Sequence, residues 1–185
     1  VLFFIEIDSR RGHLGFDHDE PDGTMDRPKG AQLIISITSA GQIRPLAEPP
    51  YVVLINKALR DEGTSLHYQP QATWSRLSSR LETALIGTLQ DLPEPVLAGA
   101  SWTTDAPYRE TQAAFDAAAE LGVVCVEMEA AALYAYARAR NRDVVCFAHI
   151  TNTMAMTDKD FEKGEANGVH AALAIAEATA LALRP

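Results

Sequence analysis

Residues 122–139 read GVVCVEMEAAALYAYARA, and the change of character inside them decides the fold. Val123, Val124, Cys125 and Val126 make an apolar run of the kind found in a buried strand. Glu127-Met128-Glu129 interrupts it, and an alanine-rich segment follows that runs into Arg138, Arg140 and Arg142. Acids ahead of a helical segment and arginines at its end match the charge preference of a helix macrodipole. The reading is strand, turn, helix, with two carboxylates and a thioether at the carboxyl end of the strand. In open α/β sheets, ligands bind at that end.

Charge preference alone accounts for glutamates in a first helical turn, and methionine fills core gaps readily. The alanines add a second argument. Ala130, Ala131, Ala132, Ala135, Ala137 and Ala139 let a helix lie close on a sheet, which holds the turn rigid. A rigid carboxylate accepts hydrogen bonds from two adjacent hydroxyls, as a ribose 2′,3′-diol requires.

The rest of the chain supplies a domain for this turn. Its 185 residues suffice for one core. Hydrophobic residues at 47% and charged residues at 22% are ordinary for a globular chain. The net charge of -9, without a run of basic residues, argues against a nucleic-acid partner. Cys125 and Cys146 each sit in an apolar run and read as reduced core residues, neither disulfide nor metal pair. No apolar stretch has membrane-spanning length and no secretory signal pattern is present, so no membrane partner and a cytoplasmic location are expected.

Taken in order, residues 1–7 suggest a strand and residues 8–30 a long irregular loop rich in charge, glycine and proline. His13, Asp17, His18, Asp19 and Glu20 fall in that loop, where Asp and Gly mark solvated turns, and no metal is expected. Residues 31–38 form a buried strand that runs into Ser39-Ala40-Gly41. Small residues after a strand leave backbone N–H groups open to an anion and Ser39 adds a hydroxyl, though a plain tight turn has the same composition. Residues 51–56 are the next strand, 59–68 a loop, and 75–90 a helix with Leu77, Leu81, Leu85 and Leu89 on one face. Residues 96–101 form a strand and deliver the loop 102–111, and a short helix over 111–121 leads into the central strand. Residues 143–150 are a further core strand ending in Thr151-Asn152-Thr153, and a long helix spans about 157–183. This alternation implies a three-layer α/β domain.

VEMEAAALYA closely resembles the signature of the nucleoside phosphorylases of the purine and uridine phosphorylase type. The resemblance implies that Met128 and Glu129 contact ribose, with Glu127 lining the turn and Glu129 carrying the catalytic role. ITSAGQIRP is similar to the family's phosphate loop, which implies phosphate contacts for Ser39 and Gly41, with Thr38 where many members have a glycine. Residues 59–68 resemble a uridine phosphorylase run that includes His67. The loop after Trp102 looks like the family's base-covering segment. Asp105 and Tyr108 match it and Pro107 replaces an aromatic, so stacking on a base falls to Tyr108 or Trp102. Where purine enzymes carry an Asp and uridine enzymes an Arg, this chain has Thr153, preceded by Asn152. Neither is a general acid near neutral pH, whereas Asn152 offers a base both donor and acceptor and equally suits a turn.

The resemblance covers about residues 31–183 and implies a mixed twisted sheet flanked by helices, in a single domain over 1–185. The family's N-terminal glycine-rich phosphate loop is not found before Ala31, so residues 1–30 read as a divergent or incomplete N-terminal segment. Phosphorolysis of a nucleoside to free base and ribose 1-phosphate is the implied activity, with phosphate as co-substrate, no cofactor, and a homo-oligomer, dimer or hexamer. A uridine-like substrate is favoured. The alternatives are a hydrolase of the methylthioadenosine nucleosidase type and a non-catalytic nucleoside-binding domain.

Overall fold

The computed structural model describes residues 3–8, 13–16, 33–150 and 168–183. Among these residues nine strands build one mixed sheet: β1 (Phe3–Asp8), β2 (His13–Phe16), β3 (Leu33–Ser39), β4 (Gly41–Gln42), β5 (Tyr51–Asp61), β6 (Trp74–Arg76), β7 (Val96–Thr104), β8 (Val123–Glu127) and β9 (Asp143–Ile150). Their order is β2-β1-β3-β9-β5-β7-β8-β4, with β6 added beside β5. The helices are α1 (Ser79–Leu85), α2 (Gln112–Glu120), α3 (Ala130–Arg140) and α4 (Val169–Ala182).

Pairing directions shape the sheet. β3 and β9 are parallel, β9 meets β5 antiparallel, and β5, β7 and β8 run parallel to one another. β4 lies antiparallel to β8, with Gly41 opposite Val126 and Gln42 opposite Cys125. Only Ala40 separates β3 from β4, so the sheet curls until its β4 edge returns to the end of β3. The Ala40 N–H donates to the His149 carbonyl, 3.2 Å, so the bend stays attached to β9 as it crosses towards β8.

Side-chain alternation in β7 divides the layers. Ala100 and Trp102 join Val123, Val126 and Ala118 in a smaller core beneath α2, where Trp102 meets Phe115 edge-on. Ser101 and Thr103 point the other way, towards α3. α3 rests on β5, β6, β7 and β9, and its buried Ala130, Ala131 and Ala135 permit that close approach. Tyr134, fully inside the larger core, donates its hydroxyl to the Ile55 carbonyl and accepts from the Cys146 N–H. A bulge between Ile55 and Lys57 interrupts the β5 ladder at this point, which frees that carbonyl.

The three-layer α/β expectation and the main strands hold, with local differences. Within the expected 8–30 loop, β2 pairs with β1 in antiparallel register, Asp8 opposite His13 and Ile5 opposite Phe16. The expected helix over 75–90 shrinks to Ser79–Leu85, because residues 74–76 pair with β5 and Gly87, at φ 89, turns the chain. Leu77, Leu81, Leu85 and Leu89 are nonetheless all buried, so the leucine spacing reported the core correctly. The strand over 51–56 continues to Asp61, since the bulge carries the ladder past Asn56. Of the expected last helix, Val169–Ala182 is observed, and residues 157–167 lie outside the described ones.

Candidate functional site

Glu127 ends β8 and is the most constrained ionisable group in this region. It is 4% exposed. One carboxylate oxygen accepts from the Ser101 hydroxyl at 2.9 Å and from the Thr103 hydroxyl. The other accepts from the backbone N–H groups of Glu129, 2.8 Å, and Ala130, 2.7 Å. Thr103 in turn accepts from the Ala131 N–H, 3.0 Å. Three N–H groups at the start of α3 thereby find partners that the helix itself does not supply. Burial pushes the Glu127 carboxyl above its ordinary value, and the hydrogen bonds from Thr103, Ala130, Glu129 and Ser101 pull it back only in part.

With both oxygens occupied, Glu127 braces the turn and leaves little lone-pair capacity for a ligand. Its neighbours differ. Met128 is 47% exposed, and Glu129, at the N-cap of α3, is half-buried with no capping hydrogen bond from its side chain. One Glu129 oxygen accepts weakly from the Met128 N–H, 3.2 Å, and the other has no partner among the described residues. The turn thus presents a thioether and a carboxylate on a base that Glu127 fixes.

Ser39 is exposed, and the bend at Ala40 carries the chain directly to β8. Gly41 pairs with Val126, the residue before Glu127, so the small-residue turn lies beside the Glu-Met-Glu turn. Behind it, the Gln42 amide donates to the buried Tyr51 hydroxyl at 2.8 Å. β7 adds a third segment, because Thr103 pairs with Glu127 and Asp105 follows two residues later. Asp105 accepts from the Gly63 N–H at 3.0 Å, and Thr104 accepts from the Ala106 N–H. Asp105 therefore ties the loop after β5 to the loop after β7.

Tyr108 stands fully exposed, free to cover a ligand. Trp102, the other expected stacking residue, is 5% exposed, packed against Phe115 and donating from its indole N–H to Asp61. It is a core residue, because alternation along β7 turns it under α2. Asn152 and Thr153 lie outside the described residues. His67 is exposed at the end of a short 3-10 turn. Arg60 organises that loop by donating to the Ser65 hydroxyl and to the Gln69 and Pro70 carbonyls. Cys125 and Cys146 are free and buried, and burial raises both thiols. Among the described residues no cluster of His, Cys, Asp and Glu is arranged to hold a metal, and no helix is long and apolar enough to cross a membrane.

Sequence reasoning missed Ser101, Thr103 and Arg60. For the first two a signal was present: two hydroxyl residues at period two on the face opposite Ala100 and Trp102 demand a polar partner there.

The family model of the phosphorylase superfamily matches residues 24–184. A comparison with curated proteins returns no match. Among solved structures, a P. knowlesi homologue of P. falciparum PNP superposes with a TM-score of 0.65 at 22% identity, covering 83% of this chain and 63% of that one. AMP nucleosidase from Bacteroides thetaiotaomicron superposes with a TM-score of 0.58 at 23% identity, covering 65% of this chain and 54% of that one. The chain thus spans less than two thirds of the length of either structure.

Proposed function

The chain belongs to the phosphorylase superfamily, and from that premise we propose that it cleaves the N-glycosidic bond of a ribonucleoside by phosphorolysis, as a pentosyltransferase. Members of the superfamily are enzymes that act on nucleosides, as phosphorylases or nucleosidases. The observation that carries the reading is the pairing of Gly41 with Val126, which sets an anion-type turn beside a braced Met128-Glu129 turn. Phosphate held at the Ser39–Gly41 turn, where the exposed Ser39 hydroxyl is the open donor, attacks C1′. The C1′–N bond breaks, its electron pair leaves with the base, and the phosphate proton ends on that base. Positive charge develops on C1′ and the ring oxygen, much as in glycoside cleavage. Glu129 accepts from the sugar hydroxyls and Met128 packs against the ring, so positioning and electrostatics supply most of the rate.

Tyr108 covers the base, Asp105 holds the loop that carries it, and Asn152 and Thr153 meet the base edge. A site with Thr153 in place of an acid is poorly equipped to protonate a purine. Pyrimidine leaving groups are assisted by hydrogen bonds to their carbonyls, so a uridine-like substrate is favoured. Phosphate is the co-substrate, no cofactor is required, and assembly as a homodimer or hexamer belongs to the same proposal. Hydrolysis is the second reading, favoured by the fold match to an AMP nucleosidase. Incubation with a nucleoside panel, with and without phosphate, decides between them. Base release that requires phosphate supports phosphorolysis, and equal release in its absence overturns it in favour of hydrolysis. Saturable binding without release overturns both.

A further inference from the structure

We propose that the protein has a second, separate ligand site: a cationic cleft at the far end of α3 that binds a small phosphate ester. The cleft measures about 660 Å³, within the ordinary range for small-molecule sites. Three elements build it: the stretch from the end of β6 into α1, the last turn of α3 with its Asn141 cap, and the start of β9. Arg76, Arg80, Arg138 and Arg142 line it against a single carboxylate among the described lining residues, Asp143. Arg80 is engaged with that carboxylate at 2.5 Å. Among the described residues the other three guanidiniums have no salt-bridge partner.

The charge is out of keeping with the molecule. The chain carries 25 acidic against 16 basic side chains, yet the cleft reverses that balance. Arg138 by itself is explained by the dipole of α3, whose last turn favours cations. Arg76, on β6, and Arg142, at the entry to β9, have no such reason to converge there. Concentrated positive potential in a concavity of an acidic protein attracts anions. Guanidinium forks match phosphate oxygens in pairs, and three forks suit an anion of at least two charges. Leu81, Tyr134 and Val144, all buried, close the bottom of the cleft, and its volume makes room for more than a bare ion. Arg76 and Arg80 lie more than fifty residues before Arg138 and Arg142, so only the fold brings the two pairs together.

α3 has 11 residues, about 16 Å at the usual helical rise, and the cleft and the Glu-Met-Glu turn lie at its opposite ends. The site is therefore distinct from the proposed catalytic one and stands whether or not that proposal does. Two measurements test it. Crystals soaked in tungstate, a phosphate-like anion with a strong anomalous signal, should show density among Arg76, Arg138 and Arg142. Calorimetric titration with AMP should show a binding component that Arg138→Ala and Arg142→Ala each weaken at least tenfold and Ser39→Ala leaves unchanged. All three side chains are exposed, so melting temperatures should stay at wild-type values. The proposal is overturned if tungstate occupies only the Ser39–Gly41 turn, if the arginine variants keep AMP affinity within twofold, or if a second copy of the chain fills the cleft.

Discussion

Two glutamates one residue apart have opposite fates. Glu127 is turned inward and saturated by protein donors, whereas Glu129 keeps an unpartnered oxygen among the described residues. Glu129→Gln preserves shape and removes charge, so turnover should fall at least about tenfold, roughly 1.4 kcal/mol of barrier. Stability should hardly change, and steady-state kinetics on a ribonucleoside checks both the size and the separation. Glu127→Ala should do the reverse first. It strands two hydroxyls and two N–H groups in the interior, so urea denaturation should report a loss of about 3 kcal/mol or more. The raised Glu127 pKa also fixes a sign. Folding favours the protonated carboxyl, so its contribution is full below the ordinary value of 4.5 and is lost as pH rises from there through the folded-state pKa. The stability difference between wild type and Glu127→Gln, followed from pH 4 upward, should therefore move against the wild type. The sequence identified the Glu-Met-Glu turn but not which acid is buried. That choice is made by Ser101 and Thr103, 26 and 24 residues away along the chain.

Strands that are continuous apolar runs were readable in advance, because burial on both faces leaves no room for polar alternation. β8, β9 and the first halves of β3 and β5 are of this kind, whereas the second half of β7 alternates Ser101 and Thr103 with Ala100 and Trp102. β6 was not readable: its Trp-Ser-Arg has no pattern of its own and becomes a strand only because β5 runs past its bulge to meet it. Nor does an apolar run state its direction: β9 meets β5 antiparallel although β3 and β9, and β5 and β7, are parallel. At Gly99 in β7, an added Cβ would lie 2.7 Å from a Val124 methyl and 3.1 Å from a Val53 methyl. Both neighbours are stiff, β-branched and buried. Gly99→Ala should accordingly cost about 1–3 kcal/mol in chemical denaturation. A neutral result would mean that β7 and β8 are less tightly apposed than the pairing of Ala100 with Val123 indicates.

For the molecule as a whole, the bend at Ala40 has a mechanical meaning. β3, β9, β5, β7, β8 and β4 form a loop of strands whose two ends are the same piece of chain. Such a loop comes undone first at its shortest clasp, and β4 has only two residues. Beyond it, the N–H groups of Ile43 and Arg44 both reach the Val124 carbonyl, at 2.8 and 3.1 Å, and extend the fastening slightly. Hydrogen–deuterium exchange should show amides 41–44 trading protons well ahead of those in 52–55, although both belong to the same sheet. Because the proposed anion turn is this fastener, saturating phosphate should slow exchange at 41–44 and raise the unfolding midpoint, by the logarithm of ligand excess over Kd. Phosphate that leaves the latch unlatched as often as before would place its binding elsewhere.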